Sequence, residues 1–222
     1  MNDRQRGWLS FGVIVTFSLM LAATSKAPVA SKAASASFDE LYRRGQEANK
    51  GIRTITATFV ETTTNALLDR PIVERGRLYV ERPSRVALHY TDPPDRRTII
   101  DGKWLTTLWP SRNVRTRMDV GAAQGRVQRY FVGGDAGELR RIFDIELHSP
   151  SARAGTHEVL MLPKRRQIRE GLSRLELWVD EGSGLLRAMR MTFPNGDAKL
   201  MEFEGVTPNA PIDPAVFVVP AK

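Results

Sequence analysis

The chain has 222 residues and a formal net charge of +8, and its length suits one domain with a sizeable core. It has no cysteine, which excludes disulfides, thiol nucleophiles, thiolate metal sites and lipid-modified cysteines. It has three histidines and no HExxH motif, which disfavours a zinc site.

Residues 1–36 have the layout of a secretory signal peptide. Two arginines precede an uncharged apolar run at 8–25, and small residues follow it. An uncleaved membrane anchor is the rival interpretation, because the run approaches the roughly 20 residues that a span needs. Gly12 and several hydroxyl residues interrupt the run and favour cleavage, which we expect between positions 27 and 36, where Ala34-Ser35-Ala36 fits an A-x-A site. In a bacterium, this signal predicts export to the periplasm.

Residues 37–222 are expected to form a single domain. The leader holds four basic residues and one acidic residue, so the net charge of this domain is +5. A moderately basic surface suits an acidic partner, an anionic membrane or plain solvation. The basic run at 163–170 is predicted to be a solvated loop or a docking segment for such a partner. It lacks interleaved aromatic residues, and export also argues against nucleic acid as a partner.

The first element of the domain is a predicted helix over residues 38–50. Phe38, Leu41 and Tyr42 lie at spacings that share one helical face, and Gly51 is placed to end the helix. The apolar period then changes from 3.6 to two, which is typical of strands.

Strands with one apolar face follow over residues 54–109. Leu78 and Val80 share a face of one strand, and the next strand has its own alternating set, Val86, Leu88 and Tyr90. Further on, the pair Asp101-Gly102 predicts a hairpin turn.

Residues 119–142 interrupt the strands and predict two short helices divided by Gly133-Gly134. The first would carry Val127, Tyr130 and Phe131 on one face, and the second Leu139, Ile142 and Phe143. The period of two then returns in five segments, which are 143–148, 156–162, 172–180, 185–193 and 198–206. This gives about ten strands, mostly antiparallel because short turns join them.

A long antiparallel sheet must hide its apolar face, and so many strands tend to curl toward a barrel. The predicted fold is therefore mainly β with a few helices: a curled antiparallel sheet forming an unclosed β-barrel under an α-helical lid. A closed barrel and a sandwich are the alternatives.

Catalytic chemistry has little support in the sequence. There is no GxSxG motif, and the carboxylates of Asp92 and Asp95 flank two prolines, as polar turn residues do. His89 alternates with apolar neighbours and is predicted to be a surface or edge residue. Tyr79, Trp104, Trp109 and Trp178 fall partly on the non-core face and would form a docking patch if they cluster. We expect no enzyme activity and no cofactor.

Arg82 lies at the end of a strand and before a proline, where the chain must turn. It is either an ordinary surface arginine or a rim residue that hydrogen-bonds main-chain carbonyls of a covering helix.

The order of these segments resembles the periplasmic outer-membrane lipoprotein carrier family, LolA-like. The resemblance is carried by GRLYVERPSRVALHY, IIDGKWL and Pro110, by the upstream strand ITATFVE, and by the ending GVTPNAPIDPAVFVVP. It spans most of residues 38–220. It implies an unclosed barrel with a helical lid over an apolar cavity that takes the acyl chains of lipoproteins.

The resemblance also implies roles for particular residues. Arg82 matches an arginine that holds the lid closed. Val86, Leu88 and Tyr90 match positions that line the cavity, and Leu78 and Val80 match by the same alternation. For the facing wall our own prediction is Leu175, Leu177, Val179, Met189 and Met191. Methionine suits this role because its shape adapts readily.

The partners implied are an acylated lipoprotein or lipid cargo, an inner-membrane release complex or exporter, and an outer-membrane receptor. The carrier itself is expected to be a monomer. The alternative functions are a LolA-like carrier of a non-protein lipid or polyene for an export system, and a periplasmic partner-binding or sensor module.

Overall fold

The computed structural model describes residues 37–122 and 135–220. The predicted leader, and the predicted helix containing Val127, Tyr130 and Phe131, lie outside the described residues.

Helix α1 spans Phe38–Asn49, close to the predicted 38–50. Ser37 caps its N-terminus, because its hydroxyl accepts a hydrogen bond from the Glu40 backbone N–H at 3.2 Å. Helix α2 spans Ala136–Ile142 and is capped in the same way by Asp135, whose carboxylate accepts from the Glu138 N–H at 2.8 Å. Within the described residues, no helix is long and apolar enough to cross a membrane.

Within the described residues, eleven strands form one antiparallel sheet that is not closed into a barrel. The strands, in chain order, are β1 Thr54–Thr64, β2 Ile72–Glu81, β3 Arg85–Asp92, β4 Pro94–Asp101, β5 Trp104–Trp109, β6 Val114–Asp119, β7 Phe143–His148, β8 Thr156–Pro163, β9 Arg174–Asp180, β10 Leu186–Thr192 and β11 Ala198–Pro208. Their spatial order is β6-β5-β4-β3-β2-β1-β11-β10-β9-β8-β7, so the first and last described strands pair in the middle, and β6 and β7 end the described sheet.

Two elements differ from the sequence expectation. Strand β6 was not predicted, because five of its six residues are exposed and its sequence VRTRMD shows no apolar alternation. Within the basic run 163–170, predicted as a loop, residues Arg166–Arg169 form a single helical turn, α3.

The inner face of the sheet holds the main core. Its side chains pack with those of α1 and α2 into one apolar cluster. Gly76 shows how tight this packing is: a Cβ there would lie 2.4 Å from the His89 carbonyl oxygen and 2.6 Å from the Phe59 ring. Only glycine leaves room for that ring beside β2.

The outer face carries a second, smaller cluster under the C-terminal segment. A 3₁₀ helix at Pro214–Phe217 places Phe217 against Ala87, Ile99 and Leu108. His89 lies beneath this segment, half-buried, with its Nε2 3.0 Å from the Val216 carbonyl oxygen. The outward orientation predicted for His89 is confirmed, but the chain's own C-terminal segment half-covers that part of the outer face.

Candidate functional site

The ten side chains predicted to line a cavity lie on the inner face, and all of them belong to the main apolar cluster. The strand register explains why they meet. Leu78 is paired with Leu88 and Val80 with Val86 on one half of the sheet. On the other half, Met189 is paired with Leu177 and Met191 with Leu175, while Val179 is paired with Leu186. Their role as a lining for cargo remains a prediction.

The central strands β1 and β11 join these two halves. Phe59 is paired with Phe203 across the two strands, and both side chains are buried. Phe59 also meets the ring of Tyr90 edge-on, with ring centroids 5.1 Å apart. Around this row of side chains the inner face is apolar from β3 across to β9.

The two helices lie over this face. Phe38, Leu41 and Tyr42 of α1 are buried in the cluster, as are Leu139 and Ile142 of α2. An exposed ion pair links the helices, with the Arg140 Nε 3.2 Å from a carboxylate oxygen of Asp39. Surface pairs of this kind contribute little, so apolar contact holds the cover in place.

Arg82 reaches the end of α1 as the sequence suggested. Its Nη1 donates to the Asn49 carbonyl oxygen at 2.9 Å and to the Ile52 carbonyl oxygen at 3.4 Å. Burial lowers the pKa of the Arg82 guanidinium, which nevertheless stays charged at neutral pH. Because the last carbonyls of a helix have no partner within it, a buried cation at this end is favourable.

Asn209 is a second attachment that the sequence analysis missed. Its Oδ1 accepts from the Arg53 backbone N–H at 2.9 Å, and its Nδ2 donates to the Gly51 carbonyl oxygen at 3.2 Å. The sequence gives little indication of this attachment, because an asparagine that follows a strand and a proline is typical of any turn.

A buried charged cluster occupies the other end of the inner face, and the sequence analysis missed it too. The Lys199 Nζ lies 2.5 Å from Glu61 Oε1, with 6% and 1% of the two side chains exposed. The Tyr90 hydroxyl donates to Glu61 Oε2 at 2.9 Å. Arg96 lies 3.6 Å from the centre of the Tyr90 ring and donates to Glu74 at 2.8 Å and to Glu61 at 3.4 Å.

The alternation of β1 contained a signal for this cluster. Glu61 continues the inward series Ile55, Ala57, Phe59, and Lys199 precedes the inward Met201 on β11. A charge that falls in phase with a buried series predicts an internal partner.

The pKa directions follow from this packing. Burial alone would raise the pKa of Glu61, but Lys199 and Arg96 outweigh it and hold that pKa below its ordinary value. Burial and the charge of Glu61 raise the pKa of Tyr90 well above its ordinary value, so the phenol stays protonated as a donor. Burial also raises the pKa of Glu74, against the pull of Arg96.

The carboxylates of Asp92 and Asp95 do not converge on a common site. Asp92 pairs with Arg75 at 3.3 Å, while Asp95 accepts hydrogen bonds from the backbone N–H and hydroxyl of Ser111. In the part of the chain that the structure describes, no group of histidine and acidic side chains could hold a metal ion.

The four aromatic residues do not form one patch. Tyr79 packs against the C-terminal segment and His89. Trp104 and Trp109 lie at opposite ends of β5, and Trp178 is buried on β9 beneath Arg153.

Comparison with known proteins gives one family. The family model described as outer membrane lipoprotein carrier protein LolA matches residues 50–220. Comparison with curated protein sequences gives no significant match.

Three solved structures illustrate the likeness in fold. An uncharacterized conserved protein from Thermus thermophilus aligns with a TM-score of 0.51 and 9% identity, covering 82% of this chain and 93% of that one. Lipoprotein LppX from Mycobacterium tuberculosis aligns with a TM-score of 0.47 and 12% identity, and the alignment covers 80% of this chain and 99% of that one. A LolA superfamily protein from Nitrosomonas europaea aligns with a TM-score of 0.41 and 8% identity, and the alignment covers 81% of this chain and 96% of that one.

The family that this model describes is one of carrier proteins. The family match covers well over half of the chain and agrees with the open eleven-stranded sheet and its helical cover. The chain therefore belongs to the LolA family of outer membrane lipoprotein carrier proteins.

Proposed function

We propose that this protein is a periplasmic carrier that binds the acyl chains of lipoproteins between the inner face of its sheet and helices α1 and α2, and moves them from the inner to the outer membrane. The observation that carries the proposal is the apolar part of the inner face, which spans both halves of the sheet and is covered by the two helices. Such a surface makes and breaks no bonds, but it can shield an apolar chain from water.

In the described structure the inner face is packed against the helices, so cargo must displace them. Three large side chains of α1 would lose their contacts, at about 1.5–3 kcal/mol each. An acyl chain contributes ~0.8 kcal/mol per buried methylene, so about six to eleven methylenes offset that loss. The covered and loaded states are then close in free energy, which is the condition for both loading and release.

Arg82 is the proposed latch in this exchange. Its hydrogen bonds to Asn49 and Ile52 exist only while the end of α1 lies against β2. They favour the covered state by about 1.5–3 kcal/mol, the usual contribution of a hydrogen bond to a charged group.

The test of the latch is Arg82→Leu, with Arg77→Leu as its matched control. Arg77 lies on the same strand, is exposed on the outer face and changes the net charge equally. Both proteins are loaded with a triacylated lipopeptide carrying an environment-sensitive dye, and transfer to acceptor vesicles is followed by fluorescence. We expect Arg82→Leu to bind the lipopeptide about 10- to 150-fold more tightly and to release it more slowly, because the covered state is disfavoured. Equal binding and transfer in the two variants would refute the latch.

Native mass spectrometry of protein from a periplasmic fraction, followed by organic extraction, tests the carrier itself. A bound lipopeptide or acylated lipoprotein supports the proposal. A diacyl lipid or polyene in its place would retain the carrier but change its cargo. An apo mass that does not change when lipopeptide or lipid is added would favour a partner-binding module instead.

A further inference from the structure

A cleft of about 380 Å³ opens on the outer face of the sheet, on the opposite side from the proposed cargo site. Its floor is apolar and includes Ile99 and Phe217, while Trp104 forms part of the wall. The volume falls within the range of about 300–1,000 Å³ that is typical of ligand sites. The proposed carrier function does not use this cleft.

The lining carries an excess of positive charge. Arg85, Arg115 and Arg117 line it together with the single carboxylate of Asp101. The charge of Arg85 is already paired, since its Nη2 lies 2.7 Å from Glu81 Oε1.

Arg115 and Arg117 differ from Arg85 in the partners of their guanidinium groups. Arg115 donates to the Pro220 carbonyl oxygen at 3.3 Å, and the Arg117 guanidinium lies 4.0 Å from the centre of the Trp104 ring. Neither guanidinium pairs with a carboxylate within the described residues. The aromatic ring holds Arg117 in place but leaves its charge free for an anion.

The register of β6 places these two arginines side by side. They lie at i and i+2, paired with Leu108 and Thr106 of β5, so both face outward. Strand β6 is also the last strand at this end of the described sheet, so one side of its main chain is unpaired there. Asp119 continues the same face of β6, so a strand added along that edge would bring alternate side chains opposite Arg115, Arg117 and Asp119, and only the first two favour an acidic residue.

We infer that the β6 edge and the adjoining cleft bind an extended acidic segment of a partner protein, with carboxylates at alternate positions facing Arg115 and Arg117. Charge complementarity selects acidic side chains, because planar guanidinium groups pair best with carboxylates in a bidentate geometry. The main chain of β6, unpaired on one side within the described residues, favours an extended peptide over a lipid surface, because headgroups cannot continue a β-ladder.

The experiment uses the purified full chain and a fluorescein-labelled Glu-Thr-Glu-Thr-Glu peptide, and measures binding by fluorescence anisotropy at low salt. A Gln-Thr-Gln-Thr-Gln peptide isolates the charge, and a Thr-Thr-Glu-Glu-Glu peptide keeps the composition but breaks the alternation. We expect the alternating acidic peptide to bind most tightly, and its affinity to fall as salt is added.

The protein variant is Arg115→Gln with Arg117→Gln, and its control is Arg190→Gln with Arg97→Gln, two exposed arginines that do not line the cleft. The first is expected to weaken binding about tenfold and the control less than about twofold. Circular dichroism confirms that both variants fold. Equal affinity for the Glu and Gln peptides, or equal loss in both variants, would overturn the inference. So would binding to phosphatidylglycerol vesicles through these arginines without peptide binding, because it would assign the surface to a membrane.

Discussion

Lys199→Met tests whether the buried charged cluster fixes the interior of this protein. The substitution keeps most of the side-chain volume but removes the ammonium group that lies 2.5 Å from Glu61. Glu61 then keeps the Tyr90 hydroxyl at 2.9 Å and the more distant Arg96 at 3.4 Å. Its carboxylate remains 1% exposed and cannot recover the loss through water.

The expected cost of Lys199→Met is about 3–5 kcal/mol, the range for removing one partner of a buried pair. Replacing both members, with Glu61→Gln and Lys199→Met, should cost about 1–2 kcal/mol, because the amide carries no charge yet still accepts from Tyr90. The two substitutions together are therefore predicted to be less harmful than Lys199→Met alone. Arg96 keeps Glu74 at 2.8 Å in every variant.

The assay is a double-mutant cycle on the free energy of unfolding, measured in urea at pH 7 by tryptophan fluorescence and circular dichroism. Coincident transitions would show that two-state analysis applies. A coupling energy near zero, with the double variant as destabilised as the sum of the single ones, would refute the argument that Lys199 compensates the charge of Glu61.

Two other predictions concern packing and pH. Gly76→Ala should lower the free energy of unfolding, measured in urea, by about 1–3 kcal/mol, because the new methyl group would clash with the Phe59 ring and the His89 carbonyl oxygen. The control is Gly51→Ala, which should change stability little because the space around Gly51 is open. An unaltered midpoint for Gly76→Ala would contradict the packing described here. The pKa of the Glu74 carboxyl in the folded protein is raised from its ordinary value of 4.5, so the folded state binds its proton more tightly than the unfolded state does. The free energy of unfolding should therefore decline as the pH rises from 4.5 and this carboxyl loses its proton. Glu74→Gln should remove that decline. The loss of stability below pH 4.5, which follows from the lowered pKa of Glu61, should persist in the same variant. Thermal unfolding of the parent and the variant between pH 3.5 and 6.5 measures both effects, and an unchanged decline in the variant would show that Glu74 is not its source.

The inner face could be predicted because its signal is repetitive. A period of two over several consecutive strands assigns each side chain to a face, and a slip by one residue would reverse every assignment. Leu78, Val80, Val86 and Leu88 were therefore placed together correctly, and the register pairs them as neighbours. The pairing of β1 with β11, which joins the two ends of the chain, leaves no such local trace.

The features that were missed depend on contacts between distant segments. Burial of His89 requires Val216, which lies 127 positions further along the chain. The charged cluster likewise joins Glu61 to Lys199 across a separation of 138 residues. Alternation predicts that a side chain faces inward or outward, but it does not indicate what covers it.

Arg82 lies between these two cases. Its position before a proline at a strand end indicated a turn, and the family resemblance supplied a reason to expect a helix nearby. The structure adds the two acceptors, the carbonyl oxygens of Asn49 and Ile52. Neither could be chosen from the sequence, because the side chain donates to main-chain atoms that every residue has.

The contrast between sheet and cover determines where this molecule can open. Each interior strand is bound to two neighbours by a ladder of main-chain hydrogen bonds, so separating two strands would break many bonds together. The end of α1, in contrast, is attached to the sheet by the side chains of Arg82 and Asn209 and by apolar contact. Local opening follows the elements with the fewest such bonds. An apolar ligand that reaches the inner face should therefore enter by displacing the helices, while the buried pair of Glu61 and Lys199 keeps the central strands in register.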